Sequence, residues 1–229
     1  MHLLKHQHND DPIDECDLLL REVSPDLSVA LLHEVVAVAY AAITDITNYA
    51  PNNARGIVLY QKTVENLRGQ LYEKGWTLGN DFGVPCVIDN SHKVRITVAS
   101  SSDFRVGRSS ASGPELRKKG NGTLKLAGCC ENNQMSIFEM GVNSPELNRD
   151  ILTKHDNFAF YYLIVRYDFL LEEISLELSM PVFSFEGEVV KYQERILIPA
   201  FKAKSVLTKD LINEETMTAP DIDVVRKAI

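Results

Sequence analysis

Asp89, Glu115, Lys118 and Lys119 are the residues of this chain whose types and order could support phosphodiester chemistry. Paired carboxylates can hold magnesium, the metal polarises the phosphate and stabilises the leaving oxygen, and a lysine positions or activates water. Asp89 closes an apolar, strand-like run, Glu115 follows in the next segment, and Asp81 is a spare acid. In Glu115-Leu116-Arg117, however, arginine stands where an acid-any-lysine pattern requires lysine, and a guanidinium cannot serve as a general base. The candidate magnesium ligands are therefore Asp89 and Glu115, and the candidate catalytic set of a nuclease-like protein is Asp89, Glu115 and Lys118.

The segment that would deliver phosphate to these residues is Ser101 to Leu126, rich in glycine and serine. Arg105, Arg108, Arg117, Lys118, Lys119 and Lys125 against Asp103 and Glu115 give it a net charge of +4 inside a chain of net charge −8. Positive charge concentrated on a Gly/Ser-rich stretch is a common way to hold phosphate, and an equally common solvated loop. Arg105, Arg108, Lys118, Lys119 and Lys125 are the candidate phosphate ligands, while Gly107, Gly113, Gly120 and Gly122 would let a ligand approach the backbone. Neither GxxxxGK[ST] nor GxGxxG is present, and Lys119 to Thr123 reads equally well as a lysine beside a hairpin turn.

Other chemistries find less support. Gly107 to Ala111 lacks the closing glycine of a nucleophile elbow. The adjacent Cys129 and Cys130 lack a CxxC turn, His33 lies on an apolar helix, and His2, His6 and His8 belong to a polar terminal stretch. Four cysteines at this spacing form neither a disulfide framework nor a zinc ribbon, which favours a reducing compartment. The N-terminal residues turn acidic without a long apolar stretch, so the expected location is cytoplasmic and no membrane partner is expected. The overall acidity argues against coating nucleic acid with the whole surface, but leaves room for a local site.

These residues must be positioned by a scaffold, and the periodicity outlines one. Residues 1–23 read as a polar lead-in, followed by a helix from about Ser24 to Thr47, with Ser-Pro-Asp as its capping signal. Ile57, Tyr60, Val64, Leu67 and Leu71 make the stripe of a second helix over 54–74. The period then shortens: 84–89 and 93–99 alternate as strands, with Val94, Ile96 and Val98 inward and Lys93, Arg95 and Thr97 outward, extending the basic face. A return strand is expected over 123–127 after an Asn121-Gly122 turn, and a short helix over 144–153. Residues 158–167 form a central strand whose aromatic rings are mostly core, and 173–179, 182–185, 189–192 and 195–199 supply further strands. A helix near 209–214 and a strand or tail at 221–227 complete the reading.

The implied architecture is α+β, N-terminal helices packed on a mainly antiparallel β-sheet. It is read as a single domain over 1–229, with flexible tails at 1–12 and 215–229. The function this favours is binding of a nucleic-acid backbone or other polyanion through the basic loop, with magnesium-dependent nuclease chemistry as its catalytic form. The alternative is a noncatalytic module that binds an acidic protein partner or assembles as a homo-oligomer. A small-phosphate or nucleotide sensor is a third reading, and it would require a defined concave pocket.

Overall fold

A computed structural model describes residues 12–47, 49–127, 158–168, 170–184 and 186–202. The polar histidine stretch, Cys129 and Cys130, and the expected elements at 144–153, 209–214 and 221–227 lie outside these residues. Three helices come first: α1 (Pro12–Val23), α2 (Val29–Thr44) and α3 (Ala54–Glu73). The strands are β1 (Thr77–Gly79), β2 (Cys86–Asp89), β3 (Val94–Ser100), β4 (Ala159–Asp168), β5 (Glu173–Phe183) and β6 (Val189–Lys202), with a short helix α4 (Asn121–Leu126) between β3 and β4. They form one six-stranded sheet in chain order, antiparallel throughout except for the parallel pair β3–β4. The class is α+β, as the sequence implies.

Two helix boundaries differ from the sequence reading, and the first difference traces to one serine. Ser24 does not cap a helix, because its hydroxyl donates to the Asp89 carboxylate at 2.7 Å. The chain turns there instead, and α2 starts at Val29, with Ser28 accepting from the Leu31 amide as N-cap and Asp17 accepting from the Val29 amide. The lead-in is itself helical from Pro12. Cys16, Leu20 and Val23, spaced four and three apart, are its buried stripe, obscured in the sequence by the acids around them.

The sheet is covered on both faces. Val94, Ile96, Val98, Leu163, Val165, Leu176 and Leu178 share a core with Leu20, Leu32, Val35, Leu67 and Leu71 from the helices. Each fully buried aliphatic side chain there contributes about 1.5–3 kcal/mol of transfer free energy. On the opposite face Ala99, Phe160, Tyr162 and Ile164 pack with Val106, Leu124 and Leu126. The Gly/Ser-rich segment is therefore a strap laid along the second face of the sheet, anchored by Val106, Leu124 and Leu126 with Leu116 packed beside them.

This covering corrects two expectations. Arg95 does not extend an exposed basic face: it is only 2% exposed and donates to the Leu126 carbonyl at 3.0 Å. Residues 123–127 are not a strand, since Asn121 to Leu126 coil into a helical turn whose Thr123 amide returns to the Gly120 carbonyl at 3.1 Å. The turn fits because Gly122 has no side chain. A Cβ there would stand 2.5 Å from the Phe82 carbonyl oxygen.

Candidate functional site

Asp89 sits at the end of β2, paired with Val94 at the start of β3. Its side chain is buried and accepts from the Ser24 hydroxyl at 2.7 Å, the His92 ring at 2.7 Å, and the Ser91 and His92 amides at 2.9 and 3.1 Å. Burial alone would raise its pKa, but these hydrogen bonds from Ser24, His92 and Ser91 outweigh it and hold the carboxyl below the usual range. The residue is a turn staple joining the β2–β3 hairpin to the start of the helical layer.

Glu115 lies beyond the other end of β3, where its backbone carbonyl accepts from the Ser101 hydroxyl at 2.7 Å. The seven residues of β3 separate the two acids by roughly 20 Å of strand. Glu115 is exposed and ion-paired to Arg105 at 3.0 Å, and Lys118 reaches Glu186 at 3.3 Å. The spare acid Asp81 lies 4.0 Å from the Arg95 guanidinium. Asp89 and Glu115 thus cannot share one magnesium ion, and no cluster of three potential metal ligands occurs among the described residues. The donor set does not fit the metal.

Four of the five candidate phosphate ligands, Arg105, Arg108, Lys118 and Lys125, are likewise engaged within the protein. Arg105 is held by Asp103, whose carboxyl is drawn down to about 2, chiefly by that guanidinium. Arg108 faces Glu173 at 3.7 Å, and Lys125 lies 5.7 Å over the Phe82 ring. The strap's own carbonyls at Arg105, Arg108 and Ser110 accept from Arg195, which is paired at 2.6 Å with the fully buried Glu177. Glu177 also accepts from the Gly107 amide at 2.9 Å and the Ser179 hydroxyl at 2.7 Å, so its charge is fully ligated. Gly107 and Gly113 have positive φ and press against Leu176 and Tyr192, so these glycines serve close packing.

One part of the strap is different. Arg117 and Lys119 line a cleft of about 1130 Å³ that opens where the carboxyl ends of the parallel strands β3 and β4 meet the first turns of α3. Lys119 lies 5.1 Å over the Tyr162 ring, and its amide donates to the Gly187 carbonyl at 2.8 Å. Burial, reinforced by the nearby Arg117 charge, pushes its ammonium pKa below the ordinary lysine value. Arg55 from α3 adds a third cation. Glu115 is the cleft's single acid among the described residues, and its carboxylate is already turned to Arg105.

Hydroxyl groups complete the lining: Ser100, Ser101 and Ser102 at the end of β3, Thr97 and Thr123, and Tyr60 on α3. Burial raises the pKa of Tyr60 and Tyr162, so both stay neutral phenols able to donate hydrogen bonds. Lys119 is thus the one sequence candidate that reaches the cleft with no carboxylate paired to it among the described residues. Arg55, Tyr60 and Arg117 are not among the site candidates the sequence offers; Arg117 counts toward the segment's charge and breaks the acid-any-lysine pattern, and no motif marks the other two.

Comparison with protein-family models, curated proteins and solved structures finds no match for this chain. Among the described residues no helix is long and apolar enough to cross a membrane.

Proposed function

We propose that this protein binds an anionic ligand, phosphate-bearing in the first instance, in the cleft between the strap and α3. The observation that carries the reading is the pair Arg117 and Lys119: two like charges side by side, one drawn into a partly apolar site, with no carboxylate paired to either among the described residues. Holding such a pair together costs electrostatic energy that an anion would return. The hydroxyls of Ser100, Ser102 and Tyr60 in the lining suit phosphate oxygens, while those of Thr97 and Ser101 already donate to the Pro85 and Glu115 carbonyls, and concavity distinguishes a small-ligand site from a flat nucleic-acid face. The role is binding, with Arg117 and Lys119 as ligands and Arg105, Arg108, Lys118 and Lys125 as supports of the strap.

A titration of the intact chain with pyrophosphate at low salt tests this. The expected result is saturable binding that Arg117→Gln and Lys119→Met each weaken at least tenfold without unfolding the protein. A salt series on duplex DNA separates it from backbone binding by the strap. Five phosphate contacts would give a log–log salt slope of about −4.5, whereas an end bound by two cations gives about −2. Absence of pyrophosphate binding, together with the steep slope on DNA, would overturn the cleft reading in favour of the nucleic-acid one.

A further inference from the structure

The cleft does not end at Tyr60. A second cavity of about 490 Å³ continues from it along α3, sharing Tyr60, Gln61 and Pro85 and running past Val64, Gly69 and Tyr72 to Leu78 of β1. The cleft carries most of the cations and hydroxyls of this depression, while the extension is lined by Tyr60, Val64, Tyr72, Leu78 and Pro85, with Gln61, Glu65 and Arg68 beside them. Tyr72 and Leu78 are exposed there, at 62% and 43%.

The glycines of α3 supply an independent observation. Helix interiors disfavour glycine, and where it occurs the usual reasons are a positive φ or a backbone too close for a Cβ. Neither holds for Gly56 or Gly69: both have ordinary helical φ, and an added Cβ would meet nothing within 4 Å. Gly56 lines the cationic cleft and Gly69 lines the apolar extension. The two positions are thirteen residues apart, about 20 Å along the helix axis. What the missing side chains provide is open space, once in each half of one depression.

Resting on the cleft reading, we infer that the ligand is an anionic amphiphile: a phosphate head between Arg117 and Lys119, and a single hydrocarbon chain lying over Tyr60 and along Gly69 toward Leu78. Charge complementarity fixes the head, and continuity of the two cavities fixes the direction of the tail. A hydrocarbon occupant suits the extension better than a peptide does. A peptide backbone there would have only Gln61, Glu65 and Arg68 to pair its N–H and C=O groups along the length of the groove, whereas a methylene chain over Val64, Tyr72, Leu78 and Pro85 needs no partner.

The test compares pyrophosphate, monomeric dodecyl phosphate and a neutral dodecyl ether by calorimetric titration of the whole chain, and repeats the series on Gly69→Leu. Replacing a mid-helix glycine by leucine favours the helix, so this variant stays folded while filling the groove. The expected result is that dodecyl phosphate binds at least tenfold more tightly than pyrophosphate, and that Gly69→Leu abolishes this advantage while leaving pyrophosphate affinity unchanged. If pyrophosphate binds but the dodecyl chain adds nothing, if its advantage survives in Gly69→Leu, or if the neutral ether binds as tightly, the amphiphile inference is overturned and the cleft reading stands. Failure of pyrophosphate itself to bind removes the cleft reading that the inference rests on.

Discussion

Glu177 and Lys119 are both charged groups drawn toward the interior on the strap side of the sheet, yet their surroundings are opposite. Glu177 is fully buried and each of its oxygens is matched, by Arg195, Ser179 and the Gly107 amide. Lys119 is half-buried over a tyrosine ring, and its nearest charged influence is another cation. A satisfied buried charge specifies structure; a partly buried charge facing its own kind is a strained arrangement that a ligand can relieve. Asp89, ligated by four donors, belongs with Glu177, and Arg117, itself exposed, is the cation beside Lys119.

That division separates stability from binding, and substitutions can break it. The largest effect is expected for Glu177→Ala, which leaves the Arg195 guanidinium without its counter-charge and the strap without its clasp. Removing one member of a buried pair costs about 3–5 kcal/mol, read as a fall in the urea midpoint. A loss under about 1 kcal/mol would mean that the strap is held by other contacts. Asp89→Ala comes next, at about 2 kcal/mol, because Ser24 and the turn amides lose their acceptor. Its pyrophosphate affinity is expected to be unchanged. Altered anion binding in that variant would connect the two ends of β3 and blur the division. The smallest change in stability belongs to Arg117→Gln, within about 0.5 kcal/mol of the parent and on the stabilising side, since it removes a like-charge neighbour. The same variant should show the tenfold loss in pyrophosphate affinity.

Much of the scaffold was legible because periodicity reports burial. The span of α3, the inward set Val94, Ile96 and Val98 of β3 and the continuous apolar run of β4 appear as read, since their burial follows from their own residues, whereas Ile57 of the α3 stripe is exposed and Leu59 and Thr63 are buried in its place. Where distant residues decide, the sequence was silent. Ser24 resembles a helix cap until Asp89, sixty-five residues away, takes its hydroxyl. Arg95 looks outward by alternation, because nothing local announces that the strap will cover that face. The basic segment drew attention for its net charge, but the partners of Arg108 and Lys118 are Glu173 and Glu186 on the far side of the chain. Charge within a segment therefore overstated charge available to a ligand. Lys119 was among the candidates and Arg117 was not, although the difference between them and their neighbours is purely one of tertiary surroundings.

Lys119 has no carboxylate partner among the described residues, and if an anion is what it receives, its own titration shows it. Heteronuclear NMR on lysine-labelled protein, with Lys119 assigned by substitution, follows its ammonium through alkaline pH with and without saturating pyrophosphate. In the free protein the account predicts a midpoint below the ordinary 10.5, with burial and Arg117 as the causes, and in the complex a midpoint moved upward as the bound anion stabilises the charged form. Anion affinity accordingly falls as pH rises through that lowered midpoint. A Lys119 that titrates at the ordinary value and ignores pyrophosphate would contradict the account.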